Sequence, residues 1–386
     1  MKKTILILNL ILLFINANAQ ETIVKPNYLN YEMEEITKES ITKTLDSLYI
    51  QMSQGKLNTD FISANKTDLT ISTLETFQLH ELGKDSTRLK IQDKQLINIH
   101  PISKNKYSLS IAYVSPNGDS LPIILYILNL IAEENNGKIT FSIPIDYLTR
   151  YWKTTEVGNV TYHYRGNINK SRAILFNDKN TQIAKKIGVK PEKLDFYMCD
   201  NRQEILKLQG LEYSIQFNGK TRDGYGVDAG TIFSIMNNED FSHDIFHYYS
   251  GKINERKNRN WIAEEGISYL WGNAYYTDKS GEMVTHERLV SELKKYLSNN
   301  PNTSLFDLFK DNTKIFNLIA PEISVRSTIS GVIVNEVEKK KGKEGISKLI
   351  NSGRKDRMEK YLKMTNDLIG INESNFNSKV KQLIDK

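Results

Sequence analysis

Apolar positions along this chain change period several times, and each change predicts a different element. Ile41, Leu45, Leu48, Tyr49 and Met52 fall three and four residues apart, the spacing of a buried helix face, and Gly55 ends the run. Further on the period drops to two. Tyr107, Leu109, Ile111 and Tyr113 alternate with polar neighbours, as a half-buried strand requires. Ser115-Pro116-Asn117-Gly118-Asp119 predicts a turn, and the apolar run from Pro122 to Ala132 suits a central strand. A second turn at Asn135-Asn136-Gly137 leads into the alternating Ile139, Phe141 and Ile143. Residues 20–151 therefore read as one module, a helix followed by an antiparallel sheet.

That layout resembles the cone-shaped folds of the cystatin and nuclear transport factor type, a resemblance of architecture that carries no function. A new pattern begins near Val157. Asn159 to Tyr164 reads as a strand. Ala173, Phe176, Ile183, Ala184 and Ile187 mark the buried side of a long helix closed by Gly188. Leu194 to Met198 is strand-like, and Asp200 with Gln203 predicts a capping box for a short helix around Ile205 and Leu208. Gly224 to Gly230 is glycine-rich, Thr231 to Ile235 is a strand, and the chain from Ser291 onward is mostly helical. The fold class is α+β, with one domain over 20–151 and a second over 152–386.

Composition changes this picture little. Of the 386 residues 39% are apolar and 25% charged, ordinary for globular domains, and the length suits two of them. Residues 1–19 read as a signal peptide: Lys2 and Lys3, an apolar run from Thr4 to Ile15, then Ala17-Asn18-Ala19 as a cleavage site. The run is too short for a bilayer span, and no other stretch is long and apolar enough. An exported protein, periplasmic or extracellular, is expected. Lys2 and Lys3 contribute two charges to the net +6; the remainder is too small and too scattered to argue for nucleic acid. Lys339, Lys340, Lys341 and Lys343 surround Gly342 and read as a solvated helix end. Cys199 is the only cysteine, so no intrachain disulfide is possible, and its apolar setting reads as core.

Chemistry enters at FSHDIFHYYS and NWIAEEGISYLWG. His243 and His247 are four apart, so on a helix both imidazoles face one way and can hold one ion. Glu265, eighteen residues after His247, can reach them from a second helix. Two histidines and a carboxylate with an open fourth position make a catalytic zinc site. The rival reading is a pair of buried histidines with ordinary hydrogen-bond partners. Against it, two of only six histidines lie in one helical turn, and the Glu-Gly pair follows at a distance that lets a second helix fold back.

On these residues the region 157–386 resembles the gluzincin superfamily of zinc peptidases, the thermolysin and aminopeptidase-like group. There H-E-x-x-H is followed by a glutamate, often in a W-x-x-E-G-[IL]-[AS] setting. The resemblance implies a zincin-like domain (a small sheet, a zinc helix pair and a helical tail) and zinc held by His243, His247 and Glu265. It also implies peptide or protein as substrate, hydrolysed by a metal-activated water, with the backbone lying along Thr231 to Ile235 by edge pairing. The chain departs from the pattern at Asp244, where the family carries the glutamate that takes the water's proton and hands it to the leaving amine. Asp244 inherits that role one methylene short, about 1.5 Å. Displacements of about 1 Å can cost about a hundredfold in rate.

Glu264 is a weaker base, since neighbours on a helix point about 100° apart. A catalytically impaired zincin-like protein that binds peptide or glycan is the alternative function, and a metal-free structural protein is a third. Trp261, Tyr269, Trp271, Tyr275 and Tyr276 read either as an aromatic pocket wall or as core. Tyr248 and Tyr249 read as core or as support for the site. His286, Arg288 and Arg326 lie in segments that could supply an oxyanion donor, though each also reads as an ordinary structural residue. His80, His100 and His163 read as structural.

Overall fold

In a computed structural model, residues 33–81, 93–117, 120–216, 227–235, 238–278 and 280–386 are described. The signal peptide expected at residues 1–19 lies outside them, as do the side chains of His80 and Tyr276. In chain order the elements begin with helices α1 (Glu35–Ser53) and α2 (Thr67–Glu81). Strands β1 (Asp93–Ser103), β2 (Lys106–Asn117), β3 (Ser120–Asn135) and β4 (Lys138–Ser142) follow, then the single turn α3 (Ile145–Leu148). Next come β5 (Lys153–Val157), β6 (Val160–Tyr164), α4 (Lys170–Ile187), β7 (Leu194–Met198), α5 (Arg202–Leu208) and β8 (Leu211–Ser214). The remainder runs β9 (Val227–Asp228), β10 (Thr231–Ser234), α6 (Ser242–Ile253) and α7 (Trp261–Trp271). After the small ribbon β11 (Tyr275–Thr277) and β12 (Met283–Val284) come α8 (His286–Asn299), α9 (Leu305–Asp311), α10 (Val325–Ile350), α11 (Arg357–Ile369) and α12 (Phe376–Asp385). The fold is α+β, and no helix among the described residues is long and apolar enough to cross a membrane.

Two compact units divide the chain after Tyr151. The first holds the antiparallel sheet β1-β2-β3-β4, with α1 burying Ile41, Leu45, Leu48, Tyr49 and Met52 in its core. The buried hydroxyls of Tyr49 and Tyr113 meet at 2.5 Å, tying helix to sheet. Helix α2 and strand β1 were not anticipated. Apolar spacing in each is diluted by threonine and serine or by lysine and glutamine, so periodicity alone misses them. The larger departure concerns the boundary: Gln203–Thr221 belongs to the first unit, not the second. Strand β8 pairs antiparallel with β3 at Tyr126↔Ser214 and Ile127↔Tyr213, beyond the end of β4. Local spacing carries no sign of such a return.

The second unit has a sheet in the order β5-β6-β7-β10-β9, with β6, β7 and β10 parallel. Helix α4, the crossover from β6 to β7, buries the predicted face of Ala173, Phe176, Ile183, Ala184 and Ile187. Strand β10 is buried along its length, pairs with β7 on one side and carries β9 on the other at Thr231↔Asp228 and Ile232↔Val227. The free edge expected for a substrate backbone is therefore half taken. Gly342 has φ 56° and ψ −151° inside α10, so it breaks the helix rather than ending it, a conformation that favours glycine. The Asp200 carboxylate, two residues before α5, pairs with Arg165 at 2.5 Å. Cys199 is buried and is not part of a disulfide.

Candidate metal centre

Helix α6 turns its apolar stripe of Ile245, Phe246 and Tyr249 into the core, which leaves His243 and His247 on the adjoining stripe, half-buried. Asp244 in its first turn complements the positive end of the helix dipole. Helix α7 is buried on nearly every side, and the Asn260 side chain starts it by accepting from the Ile262 N–H at 3.1 Å. Ser268 on α7 donates to the His243 carbonyl at 2.7 Å, which fixes the two helices against each other. Gly272 allows the same approach one turn on, since a Cβ there would lie 2.5 Å from the Ser242 carbonyl oxygen.

This packing brings Glu265 to the histidine pair. His247 Nε2 lies 3.1 Å from Glu265 Oε1, and His243 Nε2 lies 3.7 Å from Oε2. Two donors held about 2.0–2.1 Å from one tetrahedral zinc are roughly 3.3 Å apart, so these separations bracket what an ion needs. Three ligand atoms, one from each residue, lie within 4.8 Å of one another. The Nδ1 atoms of both His243 and His247 are buried without a hydrogen-bond partner among the described residues, while the Nε2 atoms face the Glu265 carboxylate. Two imidazole nitrogens and a carboxylate converging from two helices are the donor types a divalent cation takes. The donor set fits zinc.

Burial pulls the His247 imidazole down, but the Glu265 carboxylate, then Asp244 and Glu264, outweigh it and hold the group above its ordinary value. Burial likewise pushes Glu265 up, and the two imidazoles more than reverse this.

The other helix positions follow from the same geometry. Trp261, Glu265 and Tyr269 are four apart on α7 and form one face over the histidines. Trp261, 49% exposed, stacks on the His247 ring at 5.0 Å and 10°. Tyr269 meets His243 edge-on at 5.6 Å, and its hydroxyl accepts from the Ser324 N–H at 3.0 Å. Trp271 belongs to the core, with its Nε1–H on Glu338. Glu264 points away: it is buried and bound by Arg259 at 2.8 Å and by the Ser250 hydroxyl. Tyr248 and Tyr249 bond to Glu192 and Asn180, which makes them framework.

A cavity of about 190 Å³ opens on His243, Glu265 and Asp244, with Asp240, Asn273 and Glu322 also on its wall. None of the three expected oxyanion candidates lines it. Arg288 pairs with Asp278 at 2.6 Å, and Arg326 donates to the carbonyls of Phe309 and Lys310. His286 is buried and its Nε2–H donates to the Thr328 carbonyl at 2.9 Å. Burial holds that imidazole below its ordinary value. Its stabilising effect is therefore complete above the unfolded value of about 6.5 and is lost as pH falls from there through the folded value. Unfolding free energies measured between pH 8 and 5 should fall below about 6.5, and His286→Gln should flatten that fall; an unchanged slope would rule the assignment out.

Asp240 and Glu322 carried no signal in sequence, because they lie 82 residues apart and neither belongs to a spaced motif. Tyr269 could have been found from the i, i+4, i+8 series it makes with Trp261 and Glu265. Compared with known protein families the chain matches none, and no curated protein matches it.

Proposed function

We propose that the second unit is a zinc-dependent peptidase acting on exported or extracellular peptide or protein, after the leader at residues 1–19 has directed the chain out of the cytoplasm. The observation that supports this most is the convergence of His243, His247 and Glu265 beside a cavity that also receives Asp244. Zinc, when bound, supplies Lewis acidity that polarises a carbonyl and acidifies water.

The chain's own residues do the rest. His243, His247 and Glu265 would hold the ion. Asp244 takes a proton from the attacking water at its carboxylate and returns it to the leaving amine nitrogen. It needs reach more than basicity for this, because the metal already brings the water's pKa to about 7. Trp261 shields the far side of His247 and so orients that ring. The missing methylene at Asp244 favours a second reading, a binding protein whose cleft recognises peptide or glycan without cutting it.

Asp244 variants separate the two. Asp244→Asn should retain metal and lose about 10²- to 10⁴-fold in kcat on a peptide library, the usual contribution of a general acid-base. Asp244→Glu should keep or raise activity. Wild type and Asp244→Glu both inert with metal bound would leave the binding reading.

A further inference from the structure

Outside the metal centre, one buried imidazole has a nitrogen that the fold does not use. His286 is 5% exposed and sits where the start of α8 meets α10. Its Nε2–H donates to the Thr328 carbonyl, and Gly331 leaves room for the ring, since a Cβ there would run into Nε2. Nδ1 makes no hydrogen bond among the described residues, yet they do not enclose it. It opens on a cavity of about 420 Å³ that His286 lines. Burial holds the imidazole below its ordinary value, so at neutral pH the ring is uncharged and Nδ1 offers a lone pair.

The cavity has the size and the walls of a small-molecule site between helices. Leu270 of α7, Val290 of α8, Val332 of α10 and Leu383 with Ile384 of α12 give it an apolar lining. Water filling it would wet those side chains, whereas an apolar body is drawn in by them. Val290 and Lys294 stand four and eight residues beyond His286 on one stripe of α8, and Val332 and Lys339 repeat the order on α10. The cavity thus runs along the two helices for about 12 Å, from the imidazole to a pair of ammonium groups.

Charge differs between the two ends. Neither Lys294 nor Lys339 has an ion pair among the described residues. Glu336, also on the wall, is already met by Lys340 at 2.9 Å and Lys386 at 3.8 Å. Glu287, the other acid of the lining, is exposed next to His286, at the opposite end from the lysines. An anion therefore suits the lysine end alone, and an uncharged donor suits the imidazole end. We infer that this cavity binds an amphiphilic carboxylate. Its anion lies at Lys294 and Lys339, its apolar chain against the valines and leucines, and a hydroxyl at its far end donates to His286 Nδ1. The site shares no lining residue with the cavity at the metal ligands, so it stands or falls apart from the peptidase reading.

The mature full-length protein is titrated calorimetrically with ω-hydroxyoctanoate, octanoate and octane-α,ω-diol, three chains of one length. The hydroxy acid should bind about tenfold more tightly than either of the others, because octanoate leaves Nδ1 without a donor and the diol leaves the lysines without an anion. Lys294→Gln, at a half-buried position, should weaken both carboxylates about threefold or more and leave the diol unchanged. His286→Phe should remove the advantage of the hydroxyl and spare octanoate. Val290→Phe, which fills the cavity, should abolish binding of all three.

No binding, or equal affinity for the three chains, overturns the inference. So does a hydroxyl preference that survives in a folded His286→Phe, a carboxylate affinity unchanged in Lys294→Gln, or binding untouched by Val290→Phe. If His286→Phe does not fold, the three chains and the other two variants decide.

Discussion

Purified mature protein should carry about one zinc per chain, and His247→Ala should lose it. Three side-chain donors hold the proposed ion, and His247 is the central one. It is within 3.1 Å of Glu265, on the same helix as His243, and covered by Trp261. Removing it leaves two donors on opposite helices and a Glu265 carboxylate facing an imidazole that cannot close the site. Metal content by atomic spectroscopy reads the result directly. Stability reads it independently: a ligand that binds only the folded chain at a hundred times its Kd adds about 2.7 kcal/mol, so zinc should raise the melting temperature of wild type and not of the variant.

The same site fixes the pH dependence. The ligand set needs neutral imidazoles, while Glu265 holds a proton on His247 above its ordinary value. Zinc affinity should therefore weaken as pH falls through that raised value, with protons released on binding below it and none well above it. Metal retained by His247→Ala, or no metal in either protein after reconstitution, would sink the metal centre and with it the peptidase.

Gly266→Ala should cost about 2–4 kcal/mol, although alanine is the better helix former by about 1 kcal/mol. Position 266 sits where α7 crosses α10. A Cβ there would lie 2.2 Å from Ser330 Oγ, 2.7 Å from its Cβ and 2.8 Å from its carbonyl carbon. The hydroxyl could turn away, but the backbone carbon cannot, and Ser330 is already committed to the Ile262 carbonyl at 2.8 Å and to Tyr361. The helices must separate, against a core that contains Ile262, Ile267, Ile329 and Ile333. Urea unfolding should show a lower midpoint at unchanged slope. Because Glu265 precedes this glycine, zinc affinity should fall too. A midpoint equal to or above wild type would mean that the crossing yields easily. The glycine of the Glu-Gly pair is thus explained by helix packing, without reference to any reaction.

Much of the fold was legible because its signals are local. The faces of α1 and α4, the strands β2 and β3, and the helix pair α6 and α7 follow from spacing that any short window contains. Elements α2 and β1 escaped because polar residues interrupt their apolar rows. The return of β8 to the first unit escaped because strand pairing between distant segments leaves no mark on either one.

The site divides along the same line. His243, His247 and Asp244 share one helix, so their common direction is set by 3.6 residues per turn, and the sequence alone predicts it. Whether Glu265 meets them depends on how α7 lies on α6, which is decided by the close contacts of Ser268, Gly272 and Gly266 with partners up to 64 residues away. That Glu264 turns to Arg259, that His286 is held by Thr328, and that Asp240 and Glu322 share one cavity are likewise results of packing. Periodicity orients a side chain relative to its own helix axis; which groups then face each other is fixed only when helices lock at a particular crossing, and that requires every contact at once.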